Sequence, residues 1–363
     1  MKLHALALLI FGIGFHSACT QSLQDKKYAK TILTATDSVN HLMRNKMIPG
    51  LAITVSVKGK VVWSQGFGYA DLEQKVAVDP SKSRFRIGSI SKSLTAGALG
   101  KLYEQHKIIL DSSVYYYVPD FPRKKYRPTI RQVSGHLGGI RHYKGEEFLS
   151  TKHYATVKEG LTMFAEDTLL FKPGTRFQYS SHGFNLISAA LEKASQKNFL
   201  QLMQESVFEP LSMKNTWADV NDSLIDHRTR FYQRAGRTWT NAPYVDNSYK
   251  WAGGGFISTS EDISRFANAM LRSDFLKKET ITLLTTSQKL MDGKPTFYGI
   301  GFGAELDPKG VPYFGHSGGS VGGTSDMVIY PNAEVTVVIL TNLSSANLGA
   351  AANHIAELFM NQK

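Results

Sequence analysis

Phe85-Arg86-Ile87-Gly88-Ser89-Ile90-Ser91-Lys92 is the stretch on which the reading of this chain turns. It opens an apolar helical run from Leu94 to His106, with Ser89 and Lys92 three residues apart at its start. At a helix start that spacing puts both side chains on one face, so the lysine amine can reach the serine hydroxyl. A serine hydroxyl is a weak nucleophile until a neighbouring base or cation supports the developing alkoxide. The field at a helix N-terminus favours that negative charge as well. Alone, the tetrapeptide says little, because serine is a common helix cap and lysine a common surface residue. Its meaning depends on what the rest of the chain supplies.

Two further segments supply partners. Phe177-Gln178-Tyr179-Ser180-Ser181-His182-Gly183-Phe184 follows a Lys172-Pro173-Gly174 turn and precedes a helical segment. Gly315-His316-Ser317-Gly318-Gly319 follows the strand-like Val311 to Phe314. Ser-x-x-Lys, then Tyr-x-Ser, then His-Ser-Gly, in that order, resembles the penicillin-recognising serine hydrolases: class C β-lactamases, DD-peptidases and related esterases. Ile48-Pro49-Gly50, Tyr117-Val118-Pro119 and Gly253-Gly254-Gly255-Phe256-Ile257-Ser258-Thr259 fit the same pattern. The resemblance runs over nearly the whole chain after the first twenty residues. Ser89 to Thr95, Tyr117 to Pro122 and Gly139 to Tyr143 are most similar to the mitochondrial serine β-lactamase-like peptidases.

The resemblance implies an acyl-enzyme mechanism without a cofactor. Ser89 is then the acylated nucleophile and Lys92 its electrostatic and proton-transfer partner. Tyr179 is implied as base towards Ser89, then as acid towards the leaving group. A phenol titrates near pH ~10, so that role needs a cation beside it, and Lys92 is the candidate. The backbone N–H groups of Ser89 and Gly319 are the implied oxyanion hole, about 3–4 kcal/mol per donor in other acyl-transfer enzymes. Ser181, His316, Ser317 and Gly318 are the implied substrate-binding positions. Two of them depart from the lactamases, with Ser181 in place of Asn and His316 in place of Lys. A hydroxyl reaches less far than an amide, and neutral histidine is a weaker, pH-dependent anion site. Both changes argue against a dedicated β-lactamase and for a peptidase or esterase.

Hydrophobic patterning predicts an α+β fold, and the resemblance implies that it is of the β-lactamase/transpeptidase type. Tyr28 to Lys46 has helical spacing, and Leu51–Val57 and Val61–Phe67 read as a hairpin around Lys58-Gly59-Lys60. Asp326–Tyr330 and Glu334–Leu340 read as strands, and about 346–360 as a closing amphipathic helix. Strands near both ends and helices between them predict one antiparallel sheet completed by the two ends. We expect a single catalytic domain over 20–363, its α/β part at about 28–95 and 250–363 and its helical part at about 96–249.

The first nineteen residues read as an export signal: Lys2, the apolar run Ala5 to Phe15, then Ser17-Ala18-Cys19. Eleven apolar residues are too few for a stable span. Cys19, the sole cysteine, excludes an internal disulfide and sits where a bacterial lipoprotein is lipidated, although His16 replaces the usual aliphatic. Lipidated and ordinarily cleaved export both remain open.

The 363-residue chain carries a net charge of +12, and the excess lies in residues 1–160, with 24 basic and 11 acidic side chains. Arg123, Lys124, Lys125, Arg127 and Arg131 concentrate part of it in the segment 123–131, a candidate surface for membrane headgroups or an acidic wall polymer. An exported chain makes nucleic acid an improbable partner. No His-Glu-x-x-His motif is present, and His136 and His142 are not on one helical face, so no metal is expected.

Two rival readings remain. Gly315-His316-Ser317-Gly318-Gly319 also satisfies Gly-x-Ser-x-Gly, with Asp326 and His354 following in the order of an α/β-hydrolase triad. That elbow requires a helix directly after the serine. The other reading keeps the fold and discards the catalysis, leaving a binding or scaffold protein.

Overall fold

The computed structural model describes residues 22–362, so the export segment and Cys19 lie outside it. An antiparallel sheet forms the frame. Its path runs β1 (Leu23–Gln24), β3 (Lys60–Asp71), β2 (Gly50–Val57), β7 (Val335–Thr341), β6 (Gly323–Tyr330), β5 (Pro312–Ser320) and β4 (Gly303–Leu306). The N-terminal hairpin and the C-terminal meander meet where β2 pairs with β7, Ile53 opposite Ile339. Both central strands are buried over almost their whole length, as expected of a sheet covered on two faces. The β2–β3 turn works because Lys58 and Gly59 both take positive φ.

Two cores sandwich this sheet. On one face, α1 (Ala29–Lys46) buries Ile32, Ala35, Val39 and Met43 along one stripe and packs with α6 (Ala351–Met360). The closing helix starts later than its apolar pattern suggests, because Ser345, Asn347 and Gly349 adopt left-handed backbone and hold that stretch as a loop. On the other face lie α2 (Ile90–Glu104), α3 (Ser181–Ser195), α4 (Trp251–Gly254) and α5 (Ser260–Ala269). Between α2 and α4 the chain is mostly short helices and loops, with one small hairpin pairing Tyr232 with Asn241 and Ala235 with Thr238. The α+β architecture of the β-lactamase/transpeptidase type is therefore present.

α2 is the unusual element. Twelve of its fifteen residues are buried, so it has no polar face turned to water. Its buried hydroxyls are satisfied by neighbouring backbone: Ser93 donates to Gly301 O at 2.6 Å, and Thr95 donates to Ala252 O at 3.1 Å. These bonds fix the helix between α4 and the loop that leads into β4, as buried polar groups require.

On the opposite face, Trp63 lies fully buried and stacks on Phe359 of α6 at 6.2 Å. Replacing Phe359 with Ala is expected to cost about 3–5 kcal/mol through lost burial and a cavity. Urea unfolding of the variant against the parent measures it; a loss below 1 kcal/mol would mean α6 is not part of the cooperative core.

Candidate active site

Ser89 sits in the turn that leads β-type Phe85–Arg86 into α2, and its hydroxyl does not cap the helix. It instead lies within hydrogen-bond distance of Lys92 Nζ, at 3.0 Å. The same nitrogen bonds Ser181 Oγ at 3.0 Å and the carbonyl of Gly253. Lys92 is fully buried, yet has no carboxylate partner among the described residues. Burial, followed by the nearby charge of Lys250, holds its pKa well below the ordinary lysine value. A neutral amine can meet these neighbours with its lone pair towards the nucleophile. Its two N–H groups go to Gly253 O and Ser181 Oγ, which leaves the lone pair for the Ser89 hydroxyl.

The turn before Ser89 is pressed against β5. Gly88 has φ of 50°, and a Cβ there would lie 2.8 Å from both N and O of Gly319. Only glycine allows that approach. A Cβ on Gly318 would fall 2.1 Å from Ile87 O and 2.2 Å from Ser325 Oγ, so this residue serves close packing. β4 pairs with β5 only as far as Gly315, so the edge of β5 from His316 to Gly319 has no strand on its outer side. Gly319 is exposed at that edge beside the nucleophile turn.

Tyr179 lies at the mouth of this group, its ring centroid 4.9 Å from Lys92 Nζ. Its hydroxyl bonds Ser89 and Ser181, but burial pushes its pKa far above the usual phenol value. The expected phenolate beside a lysine cation therefore does not form at rest. The reason is physical: the same burial that discourages the phenolate also discourages the cation that would have supported it. Tyr179 is a phenol poised to give a proton.

Two of the implied substrate positions are engaged within the fold. The Ser181 hydroxyl is buried and turned onto Lys92, where it helps to position the amine. His316 was expected to bind an anion. Its Nδ1 faces Ser317 O at 2.6 Å and its Nε2 faces Tyr298 Oη at 2.9 Å. A carbonyl only accepts, so Nδ1 carries the proton and Nε2 accepts from Tyr298. Burial, and then Lys92, lowers the His316 pKa to about 3. It is neutral, with both nitrogens occupied. Ser317 is exposed and lines a cavity of about 360 Å³ with Tyr179, Tyr298, His316, Glu305 and Asp326.

Ser317 lies within strand β5, followed by a turn into β6, so the helix required by a nucleophile elbow is absent. His354 contacts Ser38 at 3.4 Å on the far face of the sheet. The α/β-hydrolase reading fails on both counts.

Several residues of the site were given no role by the sequence, although Arg141 and His142 lie in the family-like segment Gly139 to Tyr143. His136 Nδ1 accepts from Ser180 N at 3.2 Å, and His142 Nδ1 from Ser181 N at 3.1 Å, so two neutral imidazoles pin the Tyr179 segment. Arg141 holds the intervening loop through Glu147 at 2.7 Å and Asp167 at 2.6 Å, and His182 also meets Glu147 at 3.0 Å. Tyr298 is likewise brought in from an unmarked loop, while Gly253 O comes from α4. In the basic segment, Arg131 pairs with Asp111 and Lys124 bonds Ala165 O, leaving Arg123, Lys125 and Arg127 exposed. No helix among the described residues is long and apolar enough to cross a membrane.

A serine–lysine pair at the start of a buried helix, set against the open edge of an antiparallel sheet, defines a serine-hydrolase type of site. Comparison with known proteins agrees: the beta-lactamase family pattern matches residues 35–359, and the chain belongs to that family. It is 32% identical to the human mitochondrial serine beta-lactamase-like protein LACTB over 438 aligned positions, covering 91% of this chain and 80% of the relative. Among solved structures it is similar to the octameric penicillin-binding protein homologue from Pyrococcus abyssi. That match has a TM-score of 0.77 and 25% identity, and covers 91% of this chain and 77% of the other. The fold is shared with EstCE1, a hydrolase with promiscuous acyltransferase activity, at TM-score 0.75 and 20% identity, covering 93% and 99% of the two chains.

Neutral histidines make the site acid-sensitive. Burial, then Lys92, lowers His142 to about 4; burial lowers His182 to about 4 against the pull of Glu147. Between the unfolded value of ~6.5 and about 4, the unfolded chain binds protons that the folded one refuses. Stability is therefore lost as pH falls across that window. Asp326, raised to about 7 by burial, acts in the opposite sense, so the informative comparison is with a variant. His142→Gln is expected to lose less stability than the parent between pH 6.5 and 4 in denaturant titrations. Equal losses would show that His142 is not held neutral.

Proposed function

We propose that this chain is an exported serine hydrolase that acylates Ser89, with ester or amide bonds as substrates. The observation that carries the reading is the buried Lys92 amine within hydrogen-bond reach of Ser89 Oγ, with Ser181 and Gly253 occupying its other directions. In the first step the Ser89 proton passes to the Lys92 nitrogen as Oγ attacks the substrate carbonyl. The N–H groups of Ser89 and Gly319 take the oxyanion. Tyr179 then gives its phenol proton to the leaving amine or alcohol and recovers one from Lys92, which returns both groups to neutrality. Water attacks the acyl-enzyme by the reverse proton route. Microscopic reversibility makes the same two groups serve both halves.

The substrate class we infer is a peptide or small ester, with cell-wall peptides a candidate and lactams the weakest of the three. Two features support this order. Neutral His316 provides no cation at the position where the lactamases have lysine, and the Ser181 hydroxyl is committed to Lys92. We propose that Cys19, or ordinary cleavage near it, ends the export segment. Membrane proximity would come from a lipidated Cys19 or from exposed Arg123, Lys125 and Arg127.

A hydrolysis panel of p-nitrophenyl esters, D-Ala-D-Ala peptides and nitrocefin tests the reading, with Ser89→Ala as the blank. Ser89→Ala is expected to abolish turnover and fluorophosphonate labelling. Lys92→Met is expected to lower kcat by about 10²–10⁴, the range for a lost general base. A folded wild-type protein that neither labels nor turns over any of the three classes would favour a binding protein on this fold.

A further inference from the structure

Lys250, just before α4, is a buried cation of the site region for which the mechanism above has no use. It is 3% exposed, and its ammonium makes no hydrogen bond or ion pair with a described residue. Three aromatic rings surround it: Phe148 at 4.5 Å, Tyr249 at 5.2 Å and Tyr143 at 5.7 Å. Such a cage offsets part of the desolvation cost of a lysine but satisfies none of its N–H donors. The nearby acids are already taken. Asp219 receives Arg86 at 2.6 Å and Asn247 at 2.7 Å, and Asp246 faces His153 at 3.1 Å and accepts Ser248 N at 2.8 Å.

The position of this lysine ties it to the catalytic group. The Tyr143 hydroxyl bonds Ser181, whose Oγ holds Lys92, and the charge on Lys250 is close enough to oppose protonation of Lys92. α4 begins at the next residue, supplies Gly253 O to Lys92, and comes within 3.7 Å of the Gly88 backbone when Gly254 is given a Cβ. Tyr143 and Phe148 are only half-buried, so the cage is not sealed. On β5, His316 offers neither charge nor a free N–H.

We propose that Lys250 is the anion-recognition residue of this site, and that it selects substrates carrying a carboxylate near the scissile bond. The cation has in effect changed walls: it is missing from β5 and present beside α4. A bound carboxylate would give the ammonium the charge-assisted partner that the fold withholds from it, and would favour the protonated lysine while bound. The proposal rests on the serine-hydrolase reading of Ser89, so its test has to separate the two.

Two matched substrate pairs do this. p-Nitrophenyl hydrogen adipate against p-nitrophenyl hexanoate places the carboxylate on the acyl side; 4-acetoxybenzoate against phenyl acetate places it on the leaving side. In the wild type, one pair is expected to show a kcat/KM preference for the anionic member. Lys250→Met is expected to reduce that preference about tenfold, mainly through KM, as for loss of one charge-assisted bond, and Lys250→Arg to restore part of it. Burial, then Arg86, brings Lys250 to about 7, against the pull of Asp219 and Asp246. The wild-type preference should therefore be larger at pH 6 than at pH 8.5, a readout that needs no variant to fold. Comparing the ratio in the wild type and in Lys250→Met separates the contribution of Lys250 from that of Lys92.

Fluorophosphonate labelling of the wild type keeps the readings distinguishable. Labelling at Ser89 with no anionic preference in either pair, or with a preference indifferent to Lys250→Met and to pH, overturns the proposal and leaves the hydrolase reading standing. Absence of labelling overturns the hydrolase reading itself.

Discussion

The rest of the site depends on one constraint: a lysine amine is held inside a helix bundle with no carboxylate to neutralise it. Burying an ammonium unpaired is costly, so the fold favours the neutral amine. Neutrality turns Lys92 from a point charge into a base whose lone pair faces Ser89. The same dryness keeps Tyr179 a phenol and His136, His142 and His316 uncharged. The centre is thus a set of neutral donors and acceptors in which protons can move over short hydrogen bonds without separating charge far.

The frame exists to hold that arrangement rigid. α2 has no face turned to water, and its hydroxyls are tied to Gly301 and Ala252. The strand edge comes close because Gly88 and Gly318 give up their side chains to let two backbones touch. The second wall comes from α3, whose start is pinned by imidazoles at Ser180 and Ser181. These supports lie far apart in sequence and converge only because the sheet brings both chain ends together.

What the sequence displays and what it hides follow from this geometry. Alternating apolar runs identify β2, β3, β6 and β7, because a strand's facing is local information. The order of Ser89, Lys92, Tyr179 and His316 identifies the family for the same reason: each motif is a few adjacent residues. Protonation is not local. Whether Tyr179 is phenol or phenolate depends on how much apolar matter surrounds it, and that is a property of the packed chain. His316 looked like an anion site until Tyr298, from a loop with no motif, filled its second nitrogen. Ser181 bonds Lys92, a contact that its motif does not announce. Lys250 has no sequence pattern; its aromatic cage and the lack of a hydrogen-bond partner among the described residues single it out. The closing helix was overdrawn because hydrophobic spacing does not register the left-handed turns at Ser345, Asn347 and Gly349.

The most direct test of the central claim is the titration of the Lys92 side chain itself. In protein labelled with 13C at the lysine Cε, the Lys92 resonance is identified by its absence from a Lys92→Met variant and followed from pH 5 to 11. The account predicts a midpoint well below that of the surface lysines, which titrate near pH ~10.4. A Lys92 midpoint together with theirs would mean a charged lysine at rest, and would contradict the neutral-amine mechanism outright.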